Sequence, residues 1–204
     1  MTPSSECDRL AQRRTAIVAA ARALFVEQGF DRTTLNQVVA QAGGSLATVY
    51  KLFGNKEGLL DAVVKEKIIP GTEIVRRFAG RGGDPGEILR MIGSALHARF
   101  LNPEDIALTR LVISRSVADP HFARHFFETT ASLTKEAMTG LFERWRDAGV
   151  ALAGDPASLA EIFVGLIVND LQQEAMSHGA VARTSVADLD RRIDFFLRGA
   201  GLQP

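Results

Sequence analysis

The stretch from Thr15 to Leu60, TAIVAAARALFVEQGFDRTTLNQVVAQAGGSLATVYKLFGNKEGLL, constrains this chain most, because helix-start and helix-stop signals follow one another there at intervals that allow only short, closely connected helices. Ile17, Ala21, Leu24 and Phe25 recur at helical spacing, and Gly29 followed by apolar Phe30 reads as a left-handed C-cap with its hydrophobic contact. A first helix therefore ends near Gln28. Thr34 and Gln37 stand at capping-box spacing, so their side chains satisfy amide donors that a first turn leaves without partners, and Leu35, Val38 and Val39 supply the apolar face of a second helix. Gly43 and Gly44 stop it. Ser45 then caps a short third helix, which turns Leu46, Ala47, Thr48, Tyr50 and Lys51 to solvent while Val49 and Phe53 return to the core. Asn55 caps a fourth helix, with Lys56 in its first turn. A cation there opposes the macrodipole by roughly 0.3–1 kcal/mol. A bound phosphate would account for it, and an ordinary solvated lysine is the alternative.

A short exposed helix presented by two others is a geometry that carries side chains into the major groove of DNA. At this point the chain resembles the tetracycline-repressor (TetR/AcrR) family of transcriptional regulators, on LFVEQGFDRTTLNQVVAQAGGSLATVYKLFGNKEGLL. The matching positions run from the Gly29-Phe30 corner through Thr33-Thr34, Ala42-Gly43, Ser45, Thr48-Val49-Tyr50, Phe53 and Lys56-Glu57. The resemblance implies an all-helical two-fold dimer, an N-terminal reader of a palindromic double-stranded operator, and a C-terminal domain that binds a small effector. By family position it places Asn36, Leu46, Ala47 and Lys51 at base edges, with phosphate as the alternative for Lys51. It places Thr34, Ser45, Thr48, Tyr50 and Lys56 at phosphates, in keeping with the rule that phosphate contacts position and base contacts specify. Two residues depart from the pattern. Gly44 stands where the family usually has valine, which removes a packing side chain and is expected to loosen the angle between the second and third helices. Leu46 stands where a polar or basic residue is common, leaving contact with a thymine methyl as its mode of readout.

Residues 1–56 carry seven Arg and Lys against four Asp and Glu, a surplus of +3, in a chain whose 24 basic and 24 acidic residues cancel overall, so the remainder carries −3. The surplus suits a nucleic-acid end, in which Arg9, Arg13 and Arg14 form either a backbone-contacting arm or a plain solvated end. No apolar run approaches the roughly 20 residues of a membrane span, and the N-terminus has no secretory core, so a cytoplasmic protein is expected. The one cysteine, Cys7, lies in an expected mobile tail and excludes an intrachain disulfide. No paired nucleophile and base and no glycine-rich phosphate loop after a strand are legible, which argues against an enzyme and calls for no cofactor.

Beyond the reader, Asp84-Pro85, Asn102-Pro103, Asp119-Pro120 and Asp155-Pro156 each place a preferred N-cap before a proline suited to the first helical position. The stripes that follow are Ile88, Ile92, Leu96, Phe100; then Leu108, Leu111, Val112; then Phe122, Phe126, Leu133, Ala137, Leu141, running to Trp145; then Leu159, Ile162, Phe163, Leu166, Ile167. A last helix follows Ser185 and ends at Gly199. Pro70-Gly71 is expected to interrupt the fourth helix of the chain, either as a joint or as a simple kink. The expectation is an all-α fold of about nine helices: a three-helix helix-turn-helix domain over 1–60, with helix four connecting, then a helical bundle for effector binding and dimerisation over 61–204. Ile162, Phe163, Leu166 and Ile167 with Leu189, Ile193, Phe196 and Leu197 would form the dimer interface as a four-helix bundle, unless the protomer's own core absorbs some of them. His97, Arg110, Thr130, Asn169 and Gln173 are polar residues on otherwise apolar helices, hence effector-site candidates. His121 and His125 stand at i and i+4, but with no convincing third ligand no metal is expected. The rival to a DNA-binding repressor is a helical ligand-binding or interaction module that does not touch DNA.

Overall fold

The computed structural model describes residues 3–202, with side chains over 8–66 and 71–202, so the side chains of Cys7 and Pro70 lie outside the described residues. In chain order the elements are α1 (Pro3–Gln28), α2 (Leu35–Ala42), α3 (Leu46–Phe53), α4 (Lys56–Ala79), α5 (Pro85–Phe100), α6 (Pro103–Ala118), α7 (Pro120–Phe126), a π-helical segment (Phe127–Ala131), α8 (Ser132–Asp147), α9 (Pro156–Ser177) and α10 (Val186–Gly199). Every described element is helical. The backbone around Cys7, expected as a tail, belongs to α1, because no glycine or proline breaks the run between Pro3 and Gly29.

The Asx-Pro signals start their helices as the caps require. The side chains of Asp84, Asn102 and Asp155 accept the backbone N–H of Glu87, Asp105 and Ser158, and Asp119 accepts from both His121 and Phe122. Ser185 accepts from Asp188 at the head of α10. α7, the π segment and α8 run end to end, so the stripe from Phe122 to Leu141 lies on one rod. Its extra residue falls where Thr129 donates its hydroxyl to the His125 carbonyl at 2.7 Å, a side chain competing with the backbone for the helical acceptor.

The interruption expected at Pro70-Gly71 is absent: α4 is a single helix of 24 residues. Packing overrides the propensity of the pair. A Cβ on Gly71 would stand 3.2 Å from Thr134 Oγ1 and 3.7 Å from both Leu96 and Phe100, so α4 is pressed against α8 and α5 at this level and held helical.

Two apolar clusters organise the molecule. The first gathers Ile17, Val18, Ala21 and Phe25 of α1 with Val38, Val49, Leu59, Leu60, Val63 and Val64, and takes in Leu108 and Val112 of α6. The second is built on Ile88, Leu89, Ile92, Leu96, Met138, Leu141, Phe142, Phe163, Ile167, Ile193, Phe196 and Leu197, and reaches α4 at Val75. α4 thus enters both.

The stripe expected to pair two protomers is mostly interior. Phe163, Ile167, Leu189, Ile193, Phe196 and Leu197 are all buried within the one chain, where the Phe163 and Phe196 rings meet edge-on at 5.2 Å. Only Ile162, 54% exposed, and half-buried Leu166 face outward. Gly93 explains the absorption: lacking a side chain, it lets α10 seat Ile193 directly on α5, closing the protomer's own core over residues a partner would have covered.

Candidate nucleic-acid interface

α3 is held at a fixed angle by local bonds on both sides. Buried Thr33 donates its hydroxyl to the Gly29 carbonyl at 2.8 Å and closes the corner after α1. Thr34 and Gln37 complete the capping box: the Thr34 N–H donates to Gln37 Oε1 at 2.7 Å, and the Gln37 N–H donates to Thr34 Oγ1 at 3.3 Å. The turn between α2 and α3 passes through Gly43 at φ 74° and Gly44 at φ 99°, a left-handed pair that side chains resist. Ser45 Oγ accepts the Thr48 N–H at 3.2 Å and starts α3, while fully buried Val49 pins it to the core.

Gly44, expected to loosen this turn, is covered from elsewhere. The Arg13 side chain of α1 lies across the glycine pair, its Cδ 3.4 Å from where a Gly44 Cβ would stand, and its guanidinium donates to the Ala42 carbonyl at 3.1 Å. A long cationic side chain thereby occupies the missing valine's space and satisfies a carbonyl at the end of α2. No spacing rule pointed to Arg13, because its partner lies 29 residues away.

With α3 so placed, Ala47, Tyr50 and Lys51 are exposed, Leu46 and Thr48 are half-buried, and Asn36 stands exposed on α2 beside exposed Thr34 and Ser45. Tyr50 is 54% exposed, unusual for an aromatic ring on a helix whose other face is buried. Lys56 is different. Its ammonium lies 4.3 Å from the centre of the Phe30 ring and donates to the Asp31 carbonyl at 3.3 Å, which gives its position against the macrodipole an internal cause as well. Burial lowers its pKa below the usual lysine value, with Asp31 and Glu57 pulling upward and Arg115 downward.

The Phe30 ring also receives the Arg115 guanidinium, at 4.6 Å, and Arg115 reaches Asp119 at 2.7 Å and Asp31 at 3.8 Å. Arg115 therefore ties α6 to the corner that carries α2 and α3, a role the sequence reading missed because the residue sits unremarkably in a polar last turn.

The effector candidates separate. Thr130 is fully buried, and His97 is buried with Nε2 3.5 Å from Asp170 Oδ2. Arg110 is turned to the end of α9, donating to the Ala175 carbonyl at 2.9 Å. Asn169 and Gln173 are exposed, so they do not join His97 in the interior; Asn169 is displaced by one position from Asp170, the residue of α9 that is buried. Asp170, missed in the sequence, accepts from Thr184 and from Arg192, each at 2.8 Å. Gln173 lines a narrow cleft of about 10 Å³ with Asp170, Glu174, Arg183 and Thr184, room for about one water. His121 and His125 are exposed; His125 faces Asp61 at 3.5 Å, and no group of three metal-binding side chains occurs among the described residues.

The capped α2-turn-α3 unit and the exposed face of α3 define a helix-turn-helix DNA-binding protein with a helical C-terminal bundle. Residues 17–63 match the family model for bacterial regulatory proteins of the tetR family, and residues 87–199 match that for the C-terminal domain of AefR-like transcriptional repressors. The chain belongs to the TetR family of DNA-binding transcriptional regulators, a family of regulators and not of enzymes. It is 28% identical over 170 residues to the HTH-type transcriptional repressor Rv1474c of Mycobacterium tuberculosis, spanning 83% of this chain and 85% of that one. A TetR-family regulator from Mesorhizobium loti superposes with a TM-score of 0.77 at 25% identity, covering 93% of this chain and 97% of that one. The flavonoid-responsive regulator FrrA superposes at 0.70 with 27% identity, covering 95% and 98%. Among the described residues no helix is long and apolar enough to cross a membrane.

Proposed function

We propose that the protein is a cytoplasmic homodimeric repressor whose two α3 helices enter successive major grooves of a palindromic operator and are drawn out of register by a small effector bound in the body. The observation that carries the reading is the exposed Ala47-Tyr50-Lys51 face of α3 on a turn braced by four separate side-chain bonds. Residues 1–60 act as the reader, with Asn36, Leu46, Ala47 and Lys51 toward base edges and Thr34, Ser45, Thr48, Tyr50 and Lys56 toward phosphates. Support for the dimer shifts to the surface that the protomer leaves open: Ile162 and Leu166 of α9 with Phe195 of α10, which is 73% exposed. An apolar ring that free of cover on a helix beside another exposed isoleucine suits a two-fold contact.

Selection of bound duplexes from a random pool by the purified chain tests the reading. The expected product is a two-fold symmetric motif with half-sites about 10–10.5 base pairs apart, or a multiple of that. An unstructured pool after repeated rounds would overturn it. Replacing Ile162 and Phe195 together by glutamate is expected to give a monomer in sedimentation and to abolish recovery of paired half-sites. Thr130 and His97 are the interior groups with which an effector would exchange hydrogen bonds. A ligand acting there weakens operator binding by a coupling of typically 1–3 kcal/mol, and the operator weakens the ligand equally.

A further inference from the structure

We infer that His97 and Asp170 form a binding site for an uncharged hydroxyl group, closed by a strap over residues 178–185 that Thr184 latches. The inference rests on the effector-responsive reading above and names the chemistry the body receives. His97 of α5 is 7% exposed and Asp170 of α9 is 5% exposed. His97 Nε2 and Asp170 Oδ2 stand 3.5 Å apart, and among the described residues neither atom makes a hydrogen bond. Buried polar atoms are nearly always bonded, so the pair calls for a third group beside both. A carboxylate this close favours the tautomer that turns Nε2–H toward it. The third group must then accept from Nε2–H and donate to Oδ2. A hydroxyl does both, whereas an ammonium has no lone pair to offer, and a carboxylate or an ether has no proton. Charge points the same way. Asp170 already holds Arg192 at 2.8 Å and Glu174 holds Arg183 at 2.9 Å, so a cationic ligand would meet two guanidinium groups and an anionic one two carboxylates.

The strap leaves α9 through His178 at φ 52° and Gly179 at φ 82°, both left-handed, and none of residues 178–185 is buried. Polar bonds hold it down instead: Thr184 donates its hydroxyl to Asp170 Oδ1 at 2.8 Å, and Arg183 pairs with Glu174. Thr184 and Arg192 share Oδ1, which leaves Oδ2 to the incoming hydroxyl. A segment fastened in this way, with no apolar burial, belongs to the low-stability parts of a fold that open locally. The cleft beneath it reaches Asp170, with Leu101, Val181 and Ala182 lending apolar wall, and its volume of about 10 Å³ admits no carbon skeleton. A ligand therefore enters by lifting the strap, and the bond from Thr184 to Asp170 is lost as it does so.

The test uses the full chain labelled with 15N-histidine, its His97 signal assigned through His97→Gln, titrated with cyclohexane and n-hexane skeletons that each carry a single alcohol, methyl ether, ammonium or carboxylate group. The alcohols alone are expected to move the His97 Nε2 resonance, and to do so saturably. Thr184→Val, which keeps the shape of the strap and removes its latch, is expected to tighten that binding roughly two- to tenfold, the worth of one net hydrogen bond. An ether, ammonium or carboxylate that moves the signal as far as the alcohol overturns the inference. So does a signal that no member moves, since the pair then holds water only, and so does an affinity unchanged in Thr184→Val. Operator affinity measured in the same samples separates this site from the regulatory reading: an alcohol that moves His97 without weakening operator binding upholds the site and refutes the effector role.

Discussion

Gly93 is where the body's packing is most sharply testable. A Cβ placed there would lie 2.5 Å from Ile193 Cδ1, about 1 Å inside ordinary contact, and 3.5 Å from Phe163 Cζ. Ile193 and Phe163 are both fully buried, so neither has free space to swing into. Gly93→Ala therefore combines two opposed effects: a steric cost of about 1–3 kcal/mol for overpacking, and a gain of roughly 0.8–1 kcal/mol from replacing glycine within a helix. The steric term depends on one methyl. In an Ile193→Val background Cδ1 is gone and the next atom, Cγ1, stands at 3.6 Å, a normal contact. Gly93→Ala is thus expected to destabilise the wild type by up to about 2 kcal/mol and to stabilise the Ile193→Val protein by about 1 kcal/mol. Ile193→Val alone costs about 0.5–1.5 kcal/mol. Thermal unfolding of the four proteins closes the cycle, with roughly 2–4 °C per kcal/mol for a chain of this size. Equal effects of Gly93→Ala in both backgrounds would refute the reasoning, because the coupling between the two sites would then be nil.

Thr34→Ala removes the Oγ1 that accepts the Gln37 N–H, while the backbone N–H of residue 34 can still donate to Gln37 Oε1, and is expected to cost about 0.5–2 kcal/mol, with Thr34→Ser close to wild type; a melting point unmoved by alanine would remove the cap from the account of how α2 is set. Arg115→Met keeps the stem but loses the cation over Phe30 and the pair with Asp119, for an expected loss of about 1–2 kcal/mol by urea unfolding, which would be contradicted by an unchanged midpoint. The cap carboxylates Asp119, Asp155 and Asp188 are held below their usual pKa of 3.8, Asp119 chiefly by the Phe122 N–H, Asp155 by Ser158 and Asp188 by Ser185. Because the folded values are the lower ones, their contribution is present above pH 3.8 and disappears as pH falls through them. Asp155→Asn is accordingly expected to flatten the fall in stability on acidification below that pH, and stability curves parallel to wild type would count against it.

What the chain's order of residues settles is local. Thr34 with Gln37, Ser45, Asn55 and the Asx-Pro pairs cap their helices because a side-chain oxygen and the amide three residues on meet whenever a helix begins, whatever lies nearby. The exposed face of α3 was legible for the same reason: eight residues between two glycine stops leave one buried face, and Val49 occupies it. Distant neighbours decided the rest. Lys56, legible only as a cation opposing the macrodipole, has Phe30 and the Asp31 carbonyl beneath it, and Gly44 looked like a weak point until Arg13 was found over it. Pro70 read as a break, yet α8 and α5 clamp the helix through it. The α9 stripe shows the division most directly. Helical periodicity by itself determined that Ile162, Phe163, Leu166 and Ile167 share an apolar side, but only the tertiary structure assigned Phe163 and Ile167 to the protomer's own core and left Ile162 outside, because burial is decided by which helices arrive to cover a face and Gly93 allowed α10 to be one of them.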